Sequence, residues 1–460
     1  MAVISQVDKN SSFIHFIGIG GIGMSGIAHL LLNKGYKVSG SDLKSSAITD
    51  KLSTLGARIF IGHSFDNIKK DCKLTVFSSA VNENNPEIIA CRKQNIPIMR
   101  RADCLKELMQ EKIVVAVAGA HGKTTTSSLI SHILINAGLC PTVAIGGILK
   151  NIDDNAMLGD GKYFVAEADE SDGSFLSYSP DYSVITNIDY EHVDFFKDLN
   201  NIRNAFYEFM ENTKNCLFCC IDDKNIRDLL KQYGKRYFSF SLLDKADIYP
   251  KDIDFKELSS EFSVYYKNKS LGRVKLNLAG EHNISNSLAA VALGLELGIG
   301  FESICQSLST IKGVERRLQI KARKNEITII DDYAHHPSEI KATLKALDGF
   351  KRKRLMVIFQ PHRYSRTRFL WEEFLKCFDK NIDSLIITDI YAASEKPILN
   401  ISAQNLVKDF VDSGNKAMYL PKDEIVSFVR SVMKQGDLIV GLGAGDIYKI
   451  NDELAESLKA

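Results

Sequence analysis

The sequence predicts an α/β protein of three domains. A Rossmann-like domain comes first, a P-loop ATPase-type α/β domain second and another Rossmann-like α/β domain last. Three observations predict this. Short apolar runs recur along the chain, each ending in a glycine-rich or acidic turn and usually followed by a helix-like segment, which is the pattern of parallel sheets covered by helices. Two of those turns, Gly18 to Gly23 and Gly119 to Thr124, carry the glycines of phosphate-binding loops. At 460 residues the chain is also longer than one core usually serves. The expected divisions are 1–111, 112–317 and 318–460.

In the first division the strand Phe13 to Ile17 runs into Gly18-Ile19-Gly20-Gly21-Ile22-Gly23, and a helix carried by Ile27, Leu30 and Leu31 follows. The next strand, Tyr36 to Gly40, ends at Ser41-Asp42. Taken alone this is a dinucleotide-binding start with Asp42 on a ribose. The glycines let a diphosphate approach the backbone at a helix N-terminus, which suits any nucleotide diphosphate and does not require a nicotinamide. Strands Arg58 to Ile61, Leu74 to Phe77 and Ile96 to Met99 continue the alternation, with helices over Pro86 to Gln94 and Ala102 to Gln110. Ligands of such sheets lie past the carboxyl ends of strands, where Ser78-Ser79-Ala80 also falls. Arg100-Arg101 follows a strand too and could serve an anion or simply a solvated face.

The second division opens with Ile113 to Ala118, then Gly119-Ala120-His121-Gly122-Lys123-Thr124-Thr125, then a helix with Leu129, Ile130, Ile133 and Leu134. Backbone N–H groups of such a turn cradle phosphate, Lys123 reaches the β- and γ-phosphates, and the Thr124 hydroxyl sits on Mg²⁺. The full motif wants glycine where Val117 stands, so this is the shortened form starting at Gly119. Tyr163 to Ala166 ends in Glu167-Ala168-Asp169-Glu170-Ser171-Asp172, and Tyr182 to Ile185 leads to Asp189-Tyr190-Glu191-His192. These two strands are expected beside the P-loop strand, bringing carboxylates and His192 to an Mg²⁺ site. A hairpin is expected over Phe262 to Leu278, turning at Asn268-Lys269. Gly280-Glu281-His282-Asn283-Ile284-Ser285-Asn286 opens an Ala/Leu-rich helix, and Asn283 at its start could cap it or hydrogen-bond an adenine edge. Arg316, in Gly313-Val314-Glu315-Arg316-Arg317, could face a γ-phosphate.

In the third division, strands Glu326 to Ile330, Leu355 to Phe359, Leu385 to Thr388 and Leu438 to Gly441 end in polar turns. Those turns gather Asp331, Asp332, His335, His336, His362, Arg363 and Arg366 at one edge, more than folding needs.

Composition narrows the function classes. Apolar residues make up 45% and charged residues 25%, as in ordinary soluble proteins. A net charge of +1 gives no basic field for nucleic acid. No apolar run reaches membrane-spanning length and the start is polar, so a cytoplasmic protein is expected. Nine scattered cysteines suit reduced thiols, and Cys216, Cys219 and Cys220 sit inside an apolar run without a second ligand pair, so no zinc site is expected.

In this order, Gly-x-x-Gly-Lys-Thr-Thr, Glu-Ala-Asp-Glu-Ser-Asp, Glu-His, Gly-Glu-His-Asn-x-x-Asn and Gly-x-x-Arg-Arg resemble the Mur ligases of peptidoglycan synthesis, over residues 13–450. Gly-Ile-Gly-Gly-Ile-Gly-Met-Ser-Gly and Asp-Asp-Tyr-Ala-His-His-Pro resemble the members that join L-alanine to UDP-N-acetylmuramate. The resemblance implies that the first domain holds the UDP of the sugar nucleotide on Gly18, Gly20, Gly21, Ile22, Gly23, Met24, Ser25, Asp42, Ser78 and Ser79. It implies ATP on residues 119–125, Asn283, Arg316 and Asp332, and Mg²⁺ on Thr124, Glu167 and His192. It also implies that the last domain closes over ATP and supplies Tyr333, His335, Arg363 and Arg366 to the amino acid and substrate carboxylates, with His335 helping to deprotonate the amine. Lys123, Arg316 and His335 are the expected catalytic residues. Departures from the commonest form, Ala120 for Thr and Ala334 and Ser394 for Gly, put backbone details there in question. No counterpart is found for the lysine that several sister ligases carbamylate. A monomer or weak homodimer is expected. A ligase recycling murein tripeptide onto the same acceptor, a nicotinamide oxidoreductase and a non-catalytic nucleotide-binding module are the rivals.

Overall fold

The structure is a computed structural model that describes residues 3–78, 80–191, 193–243, 245–378 and 381–459. Three sheets carry the fold. The first is β3-β2-β1-β4-β5, made of β1 (Phe13–Ile17), β2 (Lys37–Asp42), β3 (Arg58–Ile61), β4 (Cys72–Phe77) and β5 (Ile98–Arg100). All its pairings are parallel, so every strand delivers its carboxyl end to one edge. Strand order reverses between β1 and β4, and a ligand crevice forms at such a point.

The second sheet has ten strands in the order β15-β14-β13-β12-β11-β10-β6-β9-β7-β8. They are β6 (Ile113–Ala118), β7 (Thr142–Leu149), β8 (Asp154–Met157), β9 (Tyr163–Glu167), β10 (Tyr182–Ile185), β11 (Cys216–Cys220), β12 (Tyr237–Phe240), β13 (Ile248–Phe255), β14 (Ser260–Tyr266) and β15 (Lys269–Leu276). β6 lies parallel between β9 and β10, as the sequence predicts. Val115 to Ala118 are fully buried, and a strand covered on both faces reads as an unbroken apolar run. The β14–β15 turn falls on Lys267 (φ +48°) and Asn268 (φ +64°), one residue before the expected place, because a tight two-residue turn needs positive φ at both central positions. All nine cysteines are free, and Cys216, Cys219 and Cys220 are buried in β11, where burial holds their thiols well above the ordinary range.

The third sheet is β16-β17-β21-β18-β19-β20: β16 (Gln319–Lys324), β17 (Ile327–Asp332), β18 (Arg354–Phe359), β19 (Ser384–Ile387), β20 (Met418–Tyr419) and β21 (Asp437–Leu442). Only the edge pair β16–β17 is antiparallel among the pairings of this sheet. Successive side chains alternate faces. Leu355, Val357 and Phe359 enter one apolar cluster, with Phe374 and Phe378 against Phe359 at 5.4 and 5.2 Å between ring centroids. Met356 and Ile358 enter the cluster on the other face.

The chain compacts into two units. One is Met1–Lys251, Ser263–Val274 and Ser285–Lys312, which holds the first sheet and most of the second. The other is Asp252–Phe262, Lys275–Ile284 and Gly313–Ala460, which holds the third.

Candidate functional site

In the first unit, the loop after β1 is tied to the end of β2. Gly18 (φ +81°) and Ile19 donate to the Ser41 carbonyl at 2.9 and 3.0 Å, and Gly20 donates to Asp42 Oδ2 at 2.9 Å. Gly20 must lack a side chain, since a Cβ there would stand 2.9 Å from that carboxylate. The helix Ile22–Asn33 starts on Gly21, which offers no capping side chain. The N–H groups of Ile22, Gly23 and Met24 therefore have no intrahelical acceptor, which makes an anion cradle. The side chains of Met24 and Ser25 are buried, and Ser25 Oγ donates to the Ile22 carbonyl. Ser78 lies across the β1–β4 switch point, its Cβ 3.8 Å from where a Gly18 Cβ would be. Ser79 lies outside the described residues. Beneath the loop, Ser41 Oγ donates to Glu87 at 2.6 Å. Burial opposes the Glu87 charge, but the His15 ring 3.8 Å away and hydrogen bonds from Ser41 and Asn67 hold its carboxyl below the usual range.

The second loop runs from β6 through Gly119 (φ +134°) to Gly122 (φ +84°), which caps the helix Lys123–Asn136. A Cβ on Gly119 would stand 2.1 Å from Thr186 Oγ1, so no larger residue fits. Asn187 clasps the turn: its carbonyl accepts from the Ala120 N–H (3.3 Å), its Oδ1 from His121 N–H (2.9 Å), and its Nδ2 donates to the His121 carbonyl (3.0 Å). The His121 ring meets Asp189 at 3.1 Å. Thr125 is half-buried one position beyond Thr124.

Lys123 Nζ donates to both Glu170 oxygens at 2.8 and 2.9 Å and to the Gly119 carbonyl at 2.5 Å. Burial alone would lower its pKa, but Glu170 and the neighbouring acids override that and raise it well above the ordinary lysine value. Thr124 Oγ1 donates to Glu167 Oε1 at 2.9 Å, and the other Glu167 oxygen accepts from the Gly146 N–H. Burial raises the Glu167 pKa against the pull of Lys123. The loop's hydroxyl, the acid at the end of β9 and the lysine thus converge in one place. His192, the third expected metal ligand, lies outside the described residues.

In the second unit, Arg316 (φ +58°) donates to Asp331 (3.2 Å) and to the carbonyls of Gly445 (3.1 Å) and Gly443 (2.6 Å). Its guanidinium carbon lies over the Tyr333 and Tyr448 rings at 5.0 and 4.8 Å. Among the described residues three of its five N–H donors are in use. Asp332 is nearly fully buried, and its carboxylate accepts from the N–H groups of Leu318 (2.7 Å) and Ala334 (2.8 Å) and from Thr343. Asn283 lies at the helix start as expected, but inside the first turn and not at the cap. The helix runs Glu281–Glu296, so Asn283 is in its first turn, with Nδ2 donating to the Ala279 carbonyl at 2.7 Å.

The edge of the third sheet brings together most of the remaining expected residues. His335 Nδ1 lies 3.0 Å from the Tyr333 carbonyl, which can only accept, so this nitrogen carries the proton and Nε2 is the basic one in the neutral ring. The His335 ring packs against His362 at 5.7 Å, and His362 stacks on Tyr391 at 5.5 Å. Arg366 NH1 lies 3.0 Å from His362 Nδ1. Arg363 (φ +70°) is exposed, its backbone N–H held by the Tyr391 carbonyl. Ser394, where the resemblance led us to expect glycine, sits at φ +71°, a conformation glycine adopts without cost.

Sequence reasoning missed Glu170 as the partner of Lys123 and Asn286, whose Oδ1 would stand 2.6 Å from a Cβ on Gly122. Both lie inside motifs already singled out, and pairing is not readable from spacing. It also gave no weight to Gly443–Gly445, whose carbonyls hold Arg316.

The family model described as "Mur ligase family, catalytic domain" matches residues 13–113. "Mur ligase middle domain" matches 117–294, and "Mur ligase, glutamate ligase domain" matches 316–445. A UDP-N-acetylmuramate–L-alanine ligase of Desulfatibacillum aliphaticivorans is 46% identical over 449 residues, covering 96% of this chain and 98% of the relative. The same-named protein of Desulforapulum autotrophicum is 47% identical over 450 residues, covering 97% and 98%. The crystal structure of the UDP-N-acetylmuramate–alanine ligase of Thermotoga maritima superposes with a TM-score of 0.84 at 30% identity, covering 97% of this chain and 99% of that one. A murein peptide ligase of Psychrobacter arcticus, 22% identical, shares the fold with a TM-score of 0.74, covering 97% of this chain and 98% of that one.

Proposed function

Because the chain belongs to the Mur ligase family, we propose that it joins L-alanine to the lactyl carboxylate of UDP-N-acetylmuramate, with ATP converted to ADP and phosphate. The near full-length likeness to L-alanine ligases favours L-alanine over a murein tripeptide as the group joined to that acceptor. The observation that carries the chemistry is the convergence of Lys123 with the Thr124–Glu167 pair at the carboxyl ends of β6 and β9. We keep the division into a UDP-sugar domain (1–111), an ATP domain (112–317) and an amino-acid domain (318–460) as part of this reading.

Hydroxide is too poor a leaving group for direct amide formation, so the carboxylate must first be activated. A lactyl carboxylate oxygen attacks the γ-phosphorus, ADP leaves, and an acyl phosphate forms. The alanine amine then attacks the acyl carbon and phosphate departs with that carboxylate oxygen. Lys123 exchanges Glu170 for the β- and γ-phosphates and spreads the charge that moves between them. The Thr124 hydroxyl and Glu167 carboxylate, 2.9 Å apart, are the hard oxygen donors Mg²⁺ takes, and His192 is proposed as a third. When bound, Mg²⁺ neutralises charge on the phosphate oxygens. Arg316 offers its two remaining donors to the phosphates, and Asn283 and Asp332 are assigned to the nucleoside. His335 Nε2 takes the amine proton, while Tyr333, Arg363 and Arg366 orient the amino acid and the carboxylates.

The test uses acceptor labelled with ¹⁸O in its lactyl carboxylate. One labelled oxygen should appear in the released phosphate. Unlabelled phosphate accompanying amide product would exclude the acyl phosphate route.

A further inference from the structure

The Arg100-Arg101 pair, left open between an anion site and a solvated face, divides in the structure. Arg100 is exposed and lines a pocket with Glu83, Arg92 and Asp103. Arg101 turns inward: its side chain is only 20% exposed, and NH2 donates to Asp169 Oδ2 at 3.2 Å. Its NH1 lies over the first turn of the glycine-loop helix, 2.7 Å from where a Cβ on Gly23 would stand. The third glycine of the motif is therefore needed to seat a guanidinium as well as to admit a ligand.

Two features of this place call for an anion. Among the described residues Arg101 makes one hydrogen bond, to Asp169, although a guanidinium has five N–H donors and this one is largely withdrawn from water. Beside it the first-turn N–H groups of Ile22, Gly23 and Met24 also have no intrahelical acceptor. The helix end supplies only about half an elementary charge. Asp42, hydrogen-bonded into the loop, adds a negative one. A diphosphate carries two negative charges, so the backbone cradle alone leaves it poorly compensated.

We propose that Arg101 binds the diphosphate of the nucleotide sugar together with the N–H groups of Ile22, Gly23 and Met24. This rests on reading the edge of the first sheet as the sugar-nucleotide site. Asp169 holds one edge of the guanidinium and leaves the other for phosphate, a division that a planar fork allows and a lysine ammonium does not. Asp169 stands two residues beyond Glu167, so the same side chain links the acceptor's diphosphate to the loop that leaves the P-loop edge.

The test measures KM for UDP-N-acetylmuramate and ATP, and calorimetric Kd for UDP and UMP, in the full-length wild type, Arg101→Gln and Arg101→Lys. For R101Q the acceptor KM and the UDP Kd should rise about 10- to 100-fold, the worth of charge-assisted hydrogen bonds. The preference for UDP over UMP should largely vanish, and the rise in acceptor KM should exceed any change in the ATP KM. R101K should show a loss of about 3- to 10-fold, because one ammonium cannot serve both partners. If R101Q does not fold, R101K decides by the same readouts. An acceptor KM at the wild-type value in either folded variant, or an equal loss for ATP, overturns the proposal. Failure of the wild type to bind UDP would instead overturn the sugar-nucleotide reading on which it rests.

Discussion

The reaction proposed above requires Lys123 to abandon the partner that holds it. Its ammonium, 14% exposed, sits on a Glu170 carboxylate that is 3% exposed. In the proposed reaction phosphate has to draw the lysine off that partner. Replacing only the lysine takes from this buried carboxylate its lysine partner, and breaking a buried pair on one side costs about 3–5 kcal/mol. Lys123→Met should therefore lose both phosphate release and, by urea unfolding, stability of that size. Lys123→Met with Glu170→Gln should recover most of the stability and none of the turnover. Equal instability of the single and double variants would show that the pair is not what the lysine stabilises. At this scale the convergence of Lys123, Thr124 and Glu167 was legible, because a glycine turn and a neighbouring strand end bring such residues to one sheet edge. Glu170 was not singled out, because two acids three residues apart in Glu-Ala-Asp-Glu look alike until the loop is folded. Asn283 was left open between a cap and an adenine contact, and the helix begins two residues before it, where Gly280 at φ +93° turns the chain, so it is not the cap.

Among the elements, β8 binds the glycine-loop helix most directly. Asn155 Nδ2 donates to the Ile22 carbonyl at 2.5 Å and lies against Gly26. Asp154 meets His29 at 3.1 Å and Lys51 at 2.9 Å. Burial works against the Asp154 charge, but His29 and Lys51 bring its pKa down to about 2 from 3.8. A depressed carboxylate stabilises the fold above its unfolded pKa and loses that contribution as pH falls through its folded one. Asp154→Asn should thus cost about 2 kcal/mol at pH 6, and its gap to wild type should close between pH 4 and pH 2. A gap independent of pH would assign the loss to packing instead. Sequence reading placed β6 and β10 to the residue, since runs such as Ile113–Ala118 are buried on both faces. It did not find β8, because Asp-Asn-Ala-Met has no strand pattern of its own and becomes a strand only by pairing with β7. The exposed half of β13, Lys251 to Phe255, hid that strand in the same way.

For the whole molecule, the three α/β sheets and their order along the chain were legible from recurring strand–turn–helix units. Compaction was not. The first sheet and most of the second fold as one unit, joined by Arg101–Asp169, Asn155–Ile22 and Asp154 with His29 and Lys51. Those contacts are made by single side chains that carry no periodic signal. Among the described residues no helix is long and apolar enough to cross a membrane. An ATP-dependent ligase must couple phosphate release to the presence of both the acid and the amine. The most direct test measures phosphate release from Mg-ATP with UDP-N-acetylmuramate and L-alanine each present or omitted, and with NADH as a control. Release that needs both substrates and ignores NADH is the predicted result. Release with murein tripeptide but not with L-alanine, or none under any combination, would contradict it.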